Sequence, residues 1–109
     1  MTTDKQPASR PHDAAVVELL KADPDFANEY LAAALQEADQ PGGQTALLAA
    51  LRHVAEAQGM AAVAERAGIP RESLYRALGP KGNPTIKTLL AVLGAAGLHL
   101  AVTRDSAHA

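Results

Sequence analysis

MAAVAERAGIPRESLYRAL, residues 60–78, reads as two short helices, 60–67 and 71–78, separated at Gly68. A break this short makes the helices meet at a steep angle through a tight turn. Such a pair needs a small residue where the helices touch, and Ala64 supplies it. It needs a residue that tolerates positive φ at the turn, and Gly68 does so without a steric penalty. It also needs apolar side chains toward a core, which places Val63, Ala67, Ile69, Leu74 and Ala77 inward. Left outward on the second helix are Arg71, Glu72, Tyr75 and Arg76, with Ser73 near its start. That face is polar, rich in hydrogen-bonding groups and sized for the major groove of DNA. Two core helices that merely meet at a glycine are the plainer alternative.

Downstream, Gly79-Pro80-Lys81-Gly82 is a turn and Asn83-Pro84 predicts the next helix start. Ile86, Leu89, Leu90 and Leu93 follow at i, i+3, i+4 and i+7, one apolar stripe, closed by Gly94 and Gly97. LHLAVT, residues 98–103, alternates weakly with period two and predicts a single strand. A lone strand leaves its backbone groups unpaired, so pairing with the same strand of a second copy is the economical solution. Leu98, Leu100 and Val102 are then the dimerisation candidates; an extended tail lying on the helices is the alternative. Upstream, Pro41-Gly42-Gly43 is a break, and a helix over 44–58 turns Leu47, Leu48, Leu51, Val54 and Ala55 inward. Asp23-Pro24 predicts another helix start, with Phe26, Tyr30, Leu31, Ala34 and Leu35 as one stripe ending near Asp39. A short helix over 12–22 precedes it.

The 109 residues suffice for one small domain. Ala occurs 25 times and Leu 14 times against three aromatics, which points to an all-α domain. The absence of cysteine excludes disulfides, thiolate metal sites and a cysteine nucleophile. His12, His53, His99 and His108 are scattered without metal-ligand spacing, Ser73 and Ser106 lack a nucleophile motif, and GPKGNP reads as turn chemistry. Neither an enzyme nor a cofactor or metal is expected. No apolar run approaches the ~20 residues of a membrane span, and the polar start is no secretory signal, so a cytoplasmic protein is expected. The net charge of −2 hides an asymmetry. Residues 13–40 carry seven acids and one base, whereas residues 59–90 carry five bases and two acids. Such halves suit two different partners, although each can equally be a solvated face.

The block 60–78 resembles the helix-turn-helix of the phage-repressor (Cro/cI, Xre-type) family. It departs from that pattern at Met60, where the family commonly carries a glutamine that reaches a phosphate. A longer resemblance runs from about residue 13 to 103. DPDFANEYLAAALQE and AEAQGMAAVAERAGIPRESLYRALGPKGNPTIKTLLAVLGAAGLHL are similar to the addiction-module antidote family of small Xre-type antitoxins. The resemblance implies a phage-repressor-like domain of five to six helices. It also implies a repressor of its own operator that neutralises a basic toxin of the RelE/ParE-like type, while the outward face of the second helix and the unpaired strand predict a homodimer on a palindromic operator.

The expected organisation is a flexible tail over 1–12, a helical domain over 13–97, a strand over 98–103 and a tail over 104–109. The DNA-binding candidates are Arg71, Glu72, Ser73, Tyr75, Arg76, Lys81, Asn83, Thr85 and Lys87. Arg71 suits a guanine edge and Glu72 a cytosine amino group, and the amides of residues 83–86 can hold a phosphate. Asn83 is read first as a helix cap. Asp13, Glu18, Asp25 and Glu29 are the candidates for the toxin. An Xre-type regulator without a toxin, and a protein-interaction module with a degenerate helix-turn-helix, are the other readings.

Overall fold

Alanine and leucine dominate the chain, and helices account for all its regular structure among residues 9–105, the part that a computed structural model describes. In order these are α1 (Ser9–Ala22), α2 (Phe26–Gln36), α3 (Gly43–Gln58), α4 (Met60–Ala67), α5 (Arg71–Ala77) and α6 (Ile86–Ala95). None is long and apolar enough to cross a membrane. α3 packs against α1 and α2 and also against α4 and α6, and α5 leans on α4. The largest fully buried side chains are Val54, Val63, Leu74, Leu78 and Val92, so the core joins α3 to the C-terminal helices. Leu20, Ala27 and Leu31 extend it under α1 and α2.

Three helix starts differ from the sequence reading. α1 begins at Ser9, so the expected tail over 1–12 is shorter by four residues. Pro11 sits in the first turn, where its missing N–H removes no helical bond. Residues 1–8 of that tail, and 106–109 of the C-terminal one, lie outside the described residues. α2 begins at Phe26 rather than at Asp23-Pro24. Only three residues connect α1 to α2, and they are used up in reversing the chain. The Phe26 amide donates to the Asp23 carbonyl at 3.0 Å and the Ala27 amide to that of Pro24 at 3.1 Å, tight i→i+3 bonds. α2 also ends at Gln36, short of Asp39, because the chain folds back until Gly43 lies on the Glu37 carbonyl; a Cβ at Gly43 would collide with that oxygen. α6 begins after Thr85, whose hydroxyl accepts from the Thr88 amide at 3.1 Å. Thr85, not Asn83, is therefore the cap.

The inward face of α6 also differs. Thr88, Ala91, Val92 and Leu93 are buried, while Ile86 is 73% and Leu90 46% exposed. The stripe 88, 91, 92, 95 has the same period as 86, 89, 90, 93, and its small residues let α6 close on alanine-rich α4. At Gly94 the Arg66 guanidinium from α4 lies across the helix, in space that a Cβ would fill.

The expected strand over 98–103 does not form: no strand occurs among the described residues. Gly97, at φ 76°, ends α6, and the Leu98 amide returns to the Leu93 carbonyl at 2.8 Å. Leu98 packs on the core as the apolar clasp of this helix ending. Beyond it residues 99–105 are exposed, and among the described residues no second strand offers them a ladder.

Candidate functional site

The turn between α4 and α5 is built from the backbone up. Gly68 takes φ 72°, the left-handed conformation that costs a β-carbon but not a glycine. The Gly68 amide donates to the Glu65 carbonyl and the Ile69 amide to that of Ala64, each at 3.1 Å. Both satisfy carbonyls that the end of α4 would leave orphaned. Ile69 then packs on the core, and extended Pro70 (φ −62°, ψ 151°) redirects the chain into α5. Leu74 and Leu78, both fully buried, root α5. Arg52 of α3 donates to the Leu78 carbonyl at 2.9 Å and ties down its far end.

With the inner face of α5 so fixed, Arg71, Glu72, Tyr75 and Arg76 all stand exposed on the other. Ser73 is half-buried and accepts from the Arg76 guanidinium at 3.4 Å. The 79–82 turn brings further polar groups alongside. Gly82 folds back onto the C-terminal carbonyls of α5 so closely that a Cβ would strike Ala77. An open groove of about 820 Å³ results, lined by Tyr75 and Arg76 of α5 and by Lys81 and Asn83 of the segment that follows. Lys87 approaches from α6: a Cβ on Gly68 would lie 3.2 Å from its Nζ. Eight of the nine predicted residues thus surround α5 with side chains partly or wholly free, while the Thr85 hydroxyl is engaged as a helix cap.

The acidic candidates divide differently. Glu18, Asp25 and Glu29 point to solvent, and Glu18 meets Lys21 at 3.4 Å. Asp13 is turned toward the core, where its carboxylate lies 2.8 Å from His53 Nε2. His53 Nδ1 in turn lies 2.6 Å from the Tyr30 hydroxyl. The assignment that satisfies all three has the phenol donating to Nδ1 and Nε2–H donating to Asp13. Tyr30 stacks on His53 with centroids 6.0 Å apart, and on Phe26 at 5.7 Å. Burial pushes the Tyr30 phenol above its ordinary range; the Asp13 charge adds to this and Arg52 opposes it.

Sequence reasoning set His53 aside with the scattered histidines and passed over Arg52. The signal for His53 was its place on α3, three residues after inward Ala50 and beside inward Val54. A second was Tyr30, whose hydroxyl, on an apolar stripe, calls for a partner. No signal marked Arg52, because its acceptor is a backbone carbonyl 26 residues away.

Comparison with known proteins adds an identity to this geometry. An uncharacterized protein of Haemophilus influenzae is 42% identical over 59 residues, a match that spans 54% of this chain and 61% of that one. No solved structure matches. A family model described as "Probable addiction module antidote protein" matches residues 8–104, the α5 face and the acidic helices included, and the chain therefore belongs to that antidote family.

Proposed function

We propose that this chain is a cytoplasmic antitoxin, without enzymatic activity, that represses its own operator through a helix-turn-helix formed by α4 and α5 and neutralises a basic RelE/ParE-like toxin. The observation that carries the DNA reading is the free-standing face of α5: Arg71, Glu72, Tyr75 and Arg76 are exposed while Leu74 and Leu78 are fully buried. Arg71 and Glu72, at the start of α5, read base edges, where a good bidentate pair contributes about 1–3 kcal/mol of discrimination. Arg76, Lys81 and Lys87 hold phosphates on either side, and the first amides of α6 add another contact.

Membership of the antidote family supports the toxin partner. The exposed carboxylates Glu18, Asp25 and Glu29 support its basic character, because complementary charge speeds encounter and selects among partners. Asp13 serves His53 instead. Two copies on a palindromic operator complete the reading. Exposed Ile86, Leu90, Leu100 and Val102 are the apolar groups that a second copy can cover.

The test is a gel-shift titration with duplex DNA from immediately upstream of the protein's own reading frame. Arg71→Ala combined with Arg76→Ala is expected to abolish specific binding and to leave the helical circular-dichroism spectrum unchanged. Unchanged affinity in the double variant would overturn the assignment of α5 to DNA.

A further inference from the structure

The second half of α1 and the start of α5 line a common groove. Its volume is about 470 Å³, and it is lined by Val17 and Lys21 of α1, Glu56 of α3, Met60 of α4, and Arg71 and Tyr75 of α5. Lys21 is the one base among residues 13–40, and it shares this groove with Arg71 of the cationic face as well as with the Glu56 carboxylate. Its neighbour within α1 is Glu18, at 3.4 Å, in a pair whose side chains are 53% and 73% exposed. A pair that open to water holds the ammonium weakly. The α5 groups beside it, Arg71 and Tyr75, are exposed as well.

We infer that Lys21, outside the α4–α5 motif, is a further nucleic-acid contact of this protein and takes a backbone phosphate flanking the bases that Arg71 reaches. The inference rests on the proposed binding of DNA by α5. An ammonium on a flexible stem acts as a point charge, so Lys21 adds affinity without reading sequence. Glu18 works against it. Its negative charge beside the ammonium repels an approaching phosphate and lowers affinity, so α1 bears both the contact and its brake.

The experiment measures binding of the upstream duplex against salt for the wild type, Lys21→Gln, Glu18→Gln and the double variant, with circular dichroism to establish that each is folded. Each phosphate neutralised contributes about 0.9 to the slope of log affinity against log salt. Lys21→Gln is therefore expected to lower the slope by roughly that amount and to weaken operator and unrelated duplexes by the same factor. Glu18→Gln is expected to tighten binding, and the gain to shrink once Lys21 is gone. A wild-type slope retained by Lys21→Gln overturns the inference and leaves the α5 reading standing. Absence of wild-type binding overturns the α5 reading itself, and this inference with it.

Discussion

Around α3 the molecule is packed in two ways. Under α1 and α2 it holds a polar relay, half-buried Asp13 and Tyr30 meeting on buried His53, whereas toward α4 and α6 the buried side chains are apolar except for Thr88. The outer surfaces differ in the opposite sense, with carboxylates over the relay and arginines and lysines over the apolar side. A dry interface of alanines and valines gains from close approach alone and holds the short helix α5 steady enough to present its face. The relay works by mutual satisfaction, so losing one member exposes the cost of the others. Surface charge and interior chemistry thus differ between the halves, and the two surfaces meet at the groove shared by Lys21 and Arg71.

The largest expected effect tests the dry side. Leu74→Ala empties a fully buried site beneath Arg71 and Tyr75. It should lower unfolding free energy by about 2–5 kcal/mol in urea titrations, and weaken DNA binding in proportion to the unfolded fraction. On the other side, His53→Ala leaves the Asp13 carboxylate and the Tyr30 hydroxyl without their common partner. A loss of about 2 kcal/mol is expected by the same titration. A variant as stable as the wild type would show that the relay contributes nothing and would erase the contrast between the halves.

Charge reversal sharpens the comparison at the surface. Deleting residues 1–40 would strip Leu20, Ala27 and Leu31 from the core, so Asp25→Lys with Glu29→Lys is the cleaner probe. Association with the co-expressed product of the neighbouring gene should slow about tenfold at low salt, with DNA affinity not reduced and melting temperature only modestly lowered, because both carboxylates sit at the N-terminal end of α2. Tyr30→Phe has the smallest effect, about 1 kcal/mol at neutral pH from one lost hydrogen bond. Its signature lies at alkaline pH. The raised phenol binds its proton more tightly in the folded than in the unfolded chain. Its contribution is complete below the ordinary tyrosine value of about 10 and is lost as pH climbs through the raised one. Stability measured across that window should fall less steeply in Tyr30→Phe than in the wild type.

Helix content, the breaks at Gly42-Gly43 and Gly59, and the turn at Gly68 are all written in the chain, because each rests on a local property: alanine propensity, or a glycine where φ is positive. The exposure of Arg71, Glu72, Tyr75 and Arg76 was equally legible, since Leu74 must face inward on so short a helix, while the burial of Leu78 is a finding of the fold. Tertiary structure decided the rest. Two stripes of the same period compete on α6, and choosing Ala91 and Val92 over Ile86 and Leu90 depends on how closely α4 approaches. The weak alternation of residues 98–103 comes to nothing within one chain, because a strand exists only against another. Asp13 joins His53 across 40 residues, and Lys21 comes to line one groove with Arg71, because packing brings distant segments together where local spacing carries no record of the meeting.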